Sequence, residues 1–210
     1  SDVLDDIAKT EFVGYTDMKA TAKVTAIVKD GARVEAAETG DDIVFTLDRT
    51  SFYAESGGQV GDTGVITNDS CTIRVLDTTK NAAGVFIHKA VVEEGFLREG
   101  DTVEAVVDVE RRRAIMRNHT AAHLLQAALR SVLGDHVEQA GQLVNENAVR
   151  FDFTHFSALT DEELLAVENL STRRSSKTSR LSAAKCRSKK QRSSVLWRCS
   201  AKNTATSCAL

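Results

Sequence analysis

The sequence predicts an α+β protein in which a small antiparallel β-barrel precedes a region that mixes helices with strands. Three observations lead to this prediction. Residues 21–108 contain short runs of alternating apolar and polar residues, and Gly- or Asp-containing turns separate these runs. After residue 108 the period of the apolar residues changes from two to about 3.6, which is the period of an α-helix.

The barrel is predicted from seven short strands with turns between them. The strands cover residues 22–28, 34–37, 43–47, 65–67, 72–76, 85–92 and 103–109. The turns are predicted at 30–31, 40–41, 57–58, 61–62 and 100–101, where Gly and Asp adopt the backbone conformations that tight turns require. Several short strands at this spacing are typical of a closed antiparallel sheet. His88 lies in one of these runs and is interpreted as an ordinary surface or core histidine.

The second region begins with a long helix, predicted over residues 109–133. Asp108 is suited to cap its N-terminus, and Gly134 is suited to end it. Strand patterns follow at 143–144 and 148–153. Thr160 and Glu163 then form a capping box that opens a second helix, which is predicted to run through residue 170.

Charge divides the chain into two parts of opposite sign. Residues 1–170 contain 16 lysines and arginines against 30 acidic residues, whereas residues 171–210 contain 11 basic residues and no acidic one. We therefore predict three segments: a barrel over 12–108, the first half of an α+β core over 109–170, and a separate basic tail over 171–210. No apolar run approaches the roughly 20 residues that span a bilayer, and the first residue is not Met, so we expect a cytoplasmic protein cut from a longer chain.

The predicted long helix carries two histidines four residues apart, His119 and His123. Residues at this spacing lie on one helical face, so both imidazoles can reach a single metal ion. Zinc accepts imidazole nitrogen but requires three or four protein ligands in most sites. A polar patch on the helix surface is the alternative interpretation. The metalloprotease motif is excluded, because Thr120 stands where that chemistry needs a glutamate.

Four motifs, taken together and in order, resemble the editing region of alanyl-tRNA synthetases. They are FVGY at 12–15, RTSFYAESGGQVGDTG at 49–64, RNHTAAH at 117–123, and HVEQAGQLV at 136–144 with RFDFTH at 150–155. The resemblance covers residues 12–170. It implies a translation-factor-like barrel, followed by an incomplete editing core of the threonyl/alanyl-tRNA synthetase type.

The resemblance also implies a function and a set of site residues. The family hydrolyses tRNA(Ala) that is wrongly charged with serine or glycine, and its editing zinc is held by the His-x-x-x-His pair and a later Cys-x-x-x-His. By resemblance, His119 and His123 are zinc ligands and Gln139 is the catalytic, substrate-side contact. Arg117, Gly57 and Gly58 are candidate contacts to tRNA or substrate. Hairpin turns explain the two glycines as well, and no role is assigned to His155.

Other interpretations remain open beside this one. The chain could be a free-standing trans-editing hydrolase, or a non-catalytic RNA-binding barrel. Arg111, Arg112 and Arg113 could contact phosphate, or simply form a solvated first helical turn. The expected partner is tRNA(Ala), mischarged with serine or glycine, rather than DNA or a membrane. ATP and Mg²⁺ would belong to the family's aminoacylation domain, which has no counterpart here.

The resemblance stops at residue 170, and codon arithmetic suggests why. The family continues much like Glu-Met-Pro-Ile-Glu-Glu-Ala-Lys-Lys, and codons for this stretch read one base later give residues 185–192 of this chain. A second family stretch, Gly-Ala-Met-Ala-Leu-Phe-Gly-Glu-Lys-Tyr-Gly, gives residues 195–204 in the same shifted frame. We predict that the tail is an out-of-frame product without regular structure, which would leave the zinc site incomplete and the chain inactive. A basic RNA-binding tail is the rival hypothesis.

Overall fold

A computed structural model describes residues 2–174, 179–186 and 192–201, with side chains described for residues 3–173. The chain forms two compact units. Unit 1 comprises Ser1–Ser56 and Val60–Arg112, and unit 2 comprises Gly57–Gln59 and Arg113–Leu210.

Unit 1 is built from a short 3-10 helix and ten strands. The 3-10 helix is Asp2–Leu4, and the strands are β1 (Glu11–Phe12), β2 (Lys19–Lys29), β3 (Ala32–Val34), β4 (Ala36–Glu38), β5 (Asp42–Leu47), β6 (Arg49–Thr50), β7 (Gly64–Asn68), β8 (Cys71–Lys80), β9 (Phe86–Arg98) and β10 (Thr102–Val107). Antiparallel pairing runs β2-β5-β9-β8-β7-β10 and returns from β10 to β2. The predicted antiparallel barrel is therefore confirmed, with six strands in the closed sheet.

Strand alternation fills the interior of this barrel. In β10 and in the first half of β2, every second residue is buried, because successive side chains of a strand point to opposite faces. The fully buried side chains include Phe45, Leu47, Phe52, Ile66 and Ile73. Burying each of them stabilises the fold by about 1.5–3 kcal/mol relative to exposure.

His88 belongs to this core, which is one of the two settings that its sequence position allowed. Its side chain is fully buried and stacks on the ring of Phe45. Nδ1 lies 3.3 Å from the carbonyl oxygen of Phe45, and Nε2 lies 2.9 Å from Oγ1 of Thr50. Burial lowers the pKa of His88 to about 4. The neutral tautomer satisfies both contacts, with Nδ1 donating to the carbonyl and Nε2 accepting from the Thr50 hydroxyl.

Unit 2 contains most of the first helix and a mixed arrangement of strands and a second helix. The elements are α1 (Val109–Leu133), β11 (Gln139–Val144), β12 (Val149–Thr154), α2 (Asp161–Arg174), β13 (Ser179–Cys186) and β14 (Arg192–Ala201). The bounds of α1 agree with the prediction. Its cap is also confirmed, because Oδ1 of Asp108 accepts a hydrogen bond from the Arg111 amide at 3.0 Å, and Gly134 follows with a φ of 112°.

The second helix begins as predicted but ends later. Thr160 and Glu163 make both bonds of the capping box, at 2.8 and 3.2 Å. The helix then continues past residue 170 to Arg174, and Ser171 is buried with its hydroxyl donating to the Val167 carbonyl at 2.8 Å. None of the helices in the described part of the chain has the length and hydropathy needed to cross a membrane.

The structure differs from the sequence prediction after α2, where no strands were expected. β13 and β14 pair with each other, and β14 pairs with β12, so that the antiparallel sheet has the order β11-β12-β14-β13. Strand pairing satisfies backbone N–H and C=O groups whatever the side-chain pattern, so an analysis of side-chain periodicity does not detect such strands. Residues 175–178, 187–191 and 202–210 of the predicted tail lie outside the described residues. The out-of-frame origin of the tail stays a prediction.

Candidate functional site

His119 and His123 form a pair on one face of α1. Their ring centroids are 4.9 Å apart and their planes are inclined by 68°. The imidazole of His119 is half-buried, whereas His123 is exposed. The spacing of four residues thus places both rings side by side on one face of the helix, as the sequence predicted.

The environment of His119 favours its neutral imidazole, but the pair does not complete a metal site. Burial, and then the neighbouring charge of His123, lower the pKa of His119, and neutral imidazole is the form that binds zinc. Zinc sites in proteins use three or four protein ligands. Within the described residues, no third His, Cys, Asp or Glu joins the pair in a group that would hold a metal ion. In the part of the chain that the structure describes, the pair by itself therefore does not fit a complete zinc site.

Asn118, which precedes the first histidine, attaches α1 to the turn between β11 and β12. Its side chain is buried, and Nδ2 donates a hydrogen bond of 2.7 Å to the carbonyl oxygen of Asn145. The side chain of Asn145 in turn accepts the amides of Asn147 and Ala148, at 2.9 and 2.8 Å. Sequence analysis missed this residue. The only indication of its role is that a polar side chain is buried on a face of the helix, and the sequence does not predict burial at that position.

Gln139 begins β11, where its side chain is exposed. It pairs with Phe153 of β12, and the antiparallel register of the two strands shifts between Gln139 and Gly141. Its predicted role as a substrate contact stays a prediction. The structure places it on the strand whose far end, at Val144, contacts the segment that holds Gly57 and Gly58.

Gly57 and Gly58 lie in the turn that the sequence predicted, and both have a positive φ, 59° and 83°. Their segment also runs alongside β11, with Gln59 forming a parallel bridge to Val144. The Val144 amide donates to the carbonyl of Gly58 at 2.7 Å, and Nε2 of Gln142 donates to the carbonyl of Gly57 at 2.6 Å. Their predicted contact with tRNA or substrate stays a prediction.

Gly58 is required by this close approach. Its φ is 83°, and a Cβ atom there would overlap the carbonyl oxygen and the Cγ atom of Gln142. Gly57 has a φ of 59° but open space around the equivalent position. The two adjacent glycines thus serve different purposes, since one avoids a steric clash and the other supplies only a left-handed turn.

Four arginines near the start of α1 were candidates for phosphate contacts, and they prove to be in different environments. Arg111 is half-buried, and its Nη1 donates to the carbonyl oxygen of Gly61 at 2.8 Å. Arg117 and Arg113 are exposed, and the phosphate contact of Arg117 stays a prediction. Arg112 is 6% exposed and pairs with Asp62 inside unit 1. Both interpretations of Arg112, as a phosphate contact or as part of a solvated turn, are therefore wrong.

A second histidine pair, which sequence analysis did not single out, lies in unit 2. Nε2 of His136 and Nδ1 of His155 are 2.9 Å apart, and the two rings are inclined by only 20°. Phe156 stacks on His136 with ring centroids 4.6 Å apart. The three rings form one aromatic cluster, defined here as His136, His155 and Phe156.

The chain resembles known proteins along most of its length. Residues 1–111 match the family described as tRNA synthetases class II (A). The alanine--tRNA ligase of Acetivibrio thermocellus is 54% identical over 166 residues, which make up 79% of this chain and 19% of that protein. Those of Thermoanaerobacter sp. and Synechococcus elongatus are 52% and 50% identical, with the same shares covered. The chain thus spans about a fifth of the length of the curated relatives it matches.

Proposed function

The chain belongs to the alanyl-tRNA synthetase family, and on this premise we propose that it derives from the region that hydrolyses mischarged tRNA(Ala). The proposed substrate is the ester of tRNA(Ala) with serine or glycine. The observation that carries the proposal is the paired placement of His119 and His123 on α1. This helix is tied to the β11–β12 turn through Asn118.

The chemistry of the three amino acids explains why such an activity is needed. Alanine differs from glycine by one methyl group and from serine by one hydroxyl. A binding pocket separates substrates that differ by a methylene group by roughly 10- to 200-fold, and it rejects an added hydroxyl no better. Accurate translation requires more than this, so a second, hydrolytic site must remove the wrong esters.

Specific residues of this chain are proposed for the site. His119 and His123 are two ligands of a zinc ion, and Gln139 contacts the substrate from the start of β11. Arg117 is exposed on α1 two residues before His119, where a guanidinium is available to a phosphate of the tRNA. Since two imidazoles do not complete a zinc site, no step of the hydrolysis is assigned to the metal.

This ligand set leads to a definite expectation for the chain as it stands. With two ligands, zinc binding should be weak and hydrolysis should be undetectable. A chain in which residues 171–210 are replaced by the family's own continuation, including its Cys-x-x-x-His, should gain both properties. The alignment with the Acetivibrio thermocellus protein leaves about a fifth of this chain unmatched.

The test measures hydrolysis of Ser-tRNA(Ala) and Ala-tRNA(Ala) together with zinc titration. The two proteins are the chain itself and a chimera in which the family's own continuation stands in place of residues 171–210. His119→Ala is made in the chimera. We expect the chimera to hydrolyse the serine ester faster than the alanine ester, and His119→Ala to abolish both hydrolysis and tight zinc binding. If the chimera binds zinc and yet leaves the serine ester intact, the proposed function is wrong.

A further inference from the structure

The aromatic cluster of unit 2 has the features of a surface that binds by stacking. Phe156 is 88% exposed, so one large aromatic side chain faces solvent almost entirely. His136 is exposed as well, and His155 is half-buried. The nearly coplanar pair of imidazoles, joined by one hydrogen bond, forms an extended flat π-surface beside Phe156.

The backbone holds these rings in place. Gly134 ends α1, and a Cβ atom there would lie 3.1 Å from Nδ1 of His136, so the glycine leaves room for the ring. The amide of Glu138 donates to Oγ1 of Thr154 at 3.1 Å, and the Thr154 amide donates to the Glu138 carbonyl at 3.0 Å. These bonds continue the register of β11 and β12, and they set residues 136 and 156 across from each other. The cluster is therefore organised before any ligand binds.

We infer that His136, His155 and Phe156 form a stacking surface for an unpaired nucleobase at the 3′ end of a tRNA. Aromatic faces bind bases of single-stranded nucleic acid by stacking, whatever the base, because every base has a π-face. A solvent-exposed phenylalanine beside two imidazoles matches this mode of recognition. The cluster contains no lysine or arginine that would bind the phosphates of a duplex.

The position of the cluster supports this choice of ligand. His136 precedes Gln139 by three residues, and three extended residues span at most about 11 Å. The ester of an aminoacyl-tRNA lies on its last ribose, so the unpaired bases at that end come within a few ångströms of the scissile bond. A base on the cluster would place the ester near Gln139. This inference rests on the proposed function for its choice of tRNA, but not for the stacking itself.

The test uses the full chain and an RNA hairpin whose single-stranded 3′ end carries 2-aminopurine, the fluorescence of which is quenched by stacking. We expect Phe156→Leu to weaken binding roughly 5- to 100-fold and to remove the quenching, because leucine keeps an apolar side chain but has no π-face. Phe156→Trp should retain both properties. Tyr15→Leu is the matched control, since Tyr15 is an equally exposed aromatic residue, at 84%, in unit 1.

Each result decides the inference separately from the proposed function. Unchanged binding in Phe156→Leu, an equal loss in Tyr15→Leu, or no quenching in the unaltered chain would each overturn the stacking surface. Hydrolysis of Ser-tRNA(Ala) is measured on the chimera that carries the family's continuation, independently of the 2-aminopurine hairpin. Hydrolysis without stacking therefore leaves the proposed function intact, and stacking without hydrolysis leaves the surface intact.

Discussion

Arg112 and Asp62 form a buried ion pair, although fifty residues separate them in the chain. Nε of Arg112 donates to both carboxylate oxygens, at 2.9 and 2.8 Å, and Nη2 also reaches Oδ2. The remaining donors of the guanidinium bind the carbonyl oxygens of Gly14 and Ser51, at 2.9 and 2.8 Å. One side chain thus joins the first turn of α1 to three other segments of unit 1.

Removal of the arginine should strongly destabilise unit 1. In Arg112→Met the Asp62 carboxylate remains buried without its partner, and breaking a buried pair in this way costs about 3–5 kcal/mol. Chemical denaturation followed by circular dichroism measures the change. The neighbouring Arg113→Met, at an exposed position, should alter the free energy of unfolding by less than about 0.5 kcal/mol. Equal effects of the two substitutions would show that the buried pair is not responsible.

The stability of the barrel should fall at acid pH because of His88. Its pKa is about 4 in the folded chain and about 6.5 in the unfolded chain. Between these values the unfolded state binds more protons, so stability is complete above pH 6.5 and is lost as the pH falls towards 4. The loss amounts to about 3 kcal/mol by pH 4.

Comparison with His88→Gln isolates this contribution from that of the carboxylates. Glutamine can keep a hydrogen bond to Thr50 but does not titrate. The unfolding free energies of the two proteins, measured from pH 7 to pH 4, should therefore converge as the pH falls. Parallel curves would contradict the assignment.

Gly58→Ala should loosen the contact between the glycine turn and β11. The new Cβ atom would overlap the Gln142 carbonyl, and a positive φ adds about 1 kcal/mol or more for any other residue. The most direct readout is hydrogen exchange of the Val144 amide, which donates to Gly58. Its exchange should become faster in Gly58→Ala. In Gly57→Ala, which meets no neighbouring atom, exchange should change much less.

Asn118→Asp should weaken the attachment of α1 to the β11–β12 turn. Aspartate keeps the shape of asparagine but has no N–H to donate to the Asn145 carbonyl, and a buried group without its partner costs about 1–3 kcal/mol. Thermal unfolding measures this cost. Asn147→Asp, at an exposed site in the same turn, is the control and should leave the melting temperature nearly unchanged. If the Asn118 substitution were equally silent, the hydrogen bond would have no structural importance.

Local patterns predicted much of the architecture. The strand alternation of the barrel, the bounds of α1 and the capping box of α2 all depend on residues close together in sequence, and all were recognisable before the structure. The side-by-side arrangement of His119 and His123 belongs with them, because helical geometry alone places residues four apart on one face.

Contacts between distant residues decided the rest. Asp62 resembled an ordinary turn residue, Arg112 a surface cation and Gly58 a hairpin glycine. Each owes its role to a partner 50 or more residues away, or, for Gly58, to a strand that begins at Gln139. The pairing of His136 with His155 likewise depends on the register of β11 with β12. A sequence determines such contacts only through the complete fold, because burial and long-range pairing arise when the elements pack and are not encoded in any local pattern.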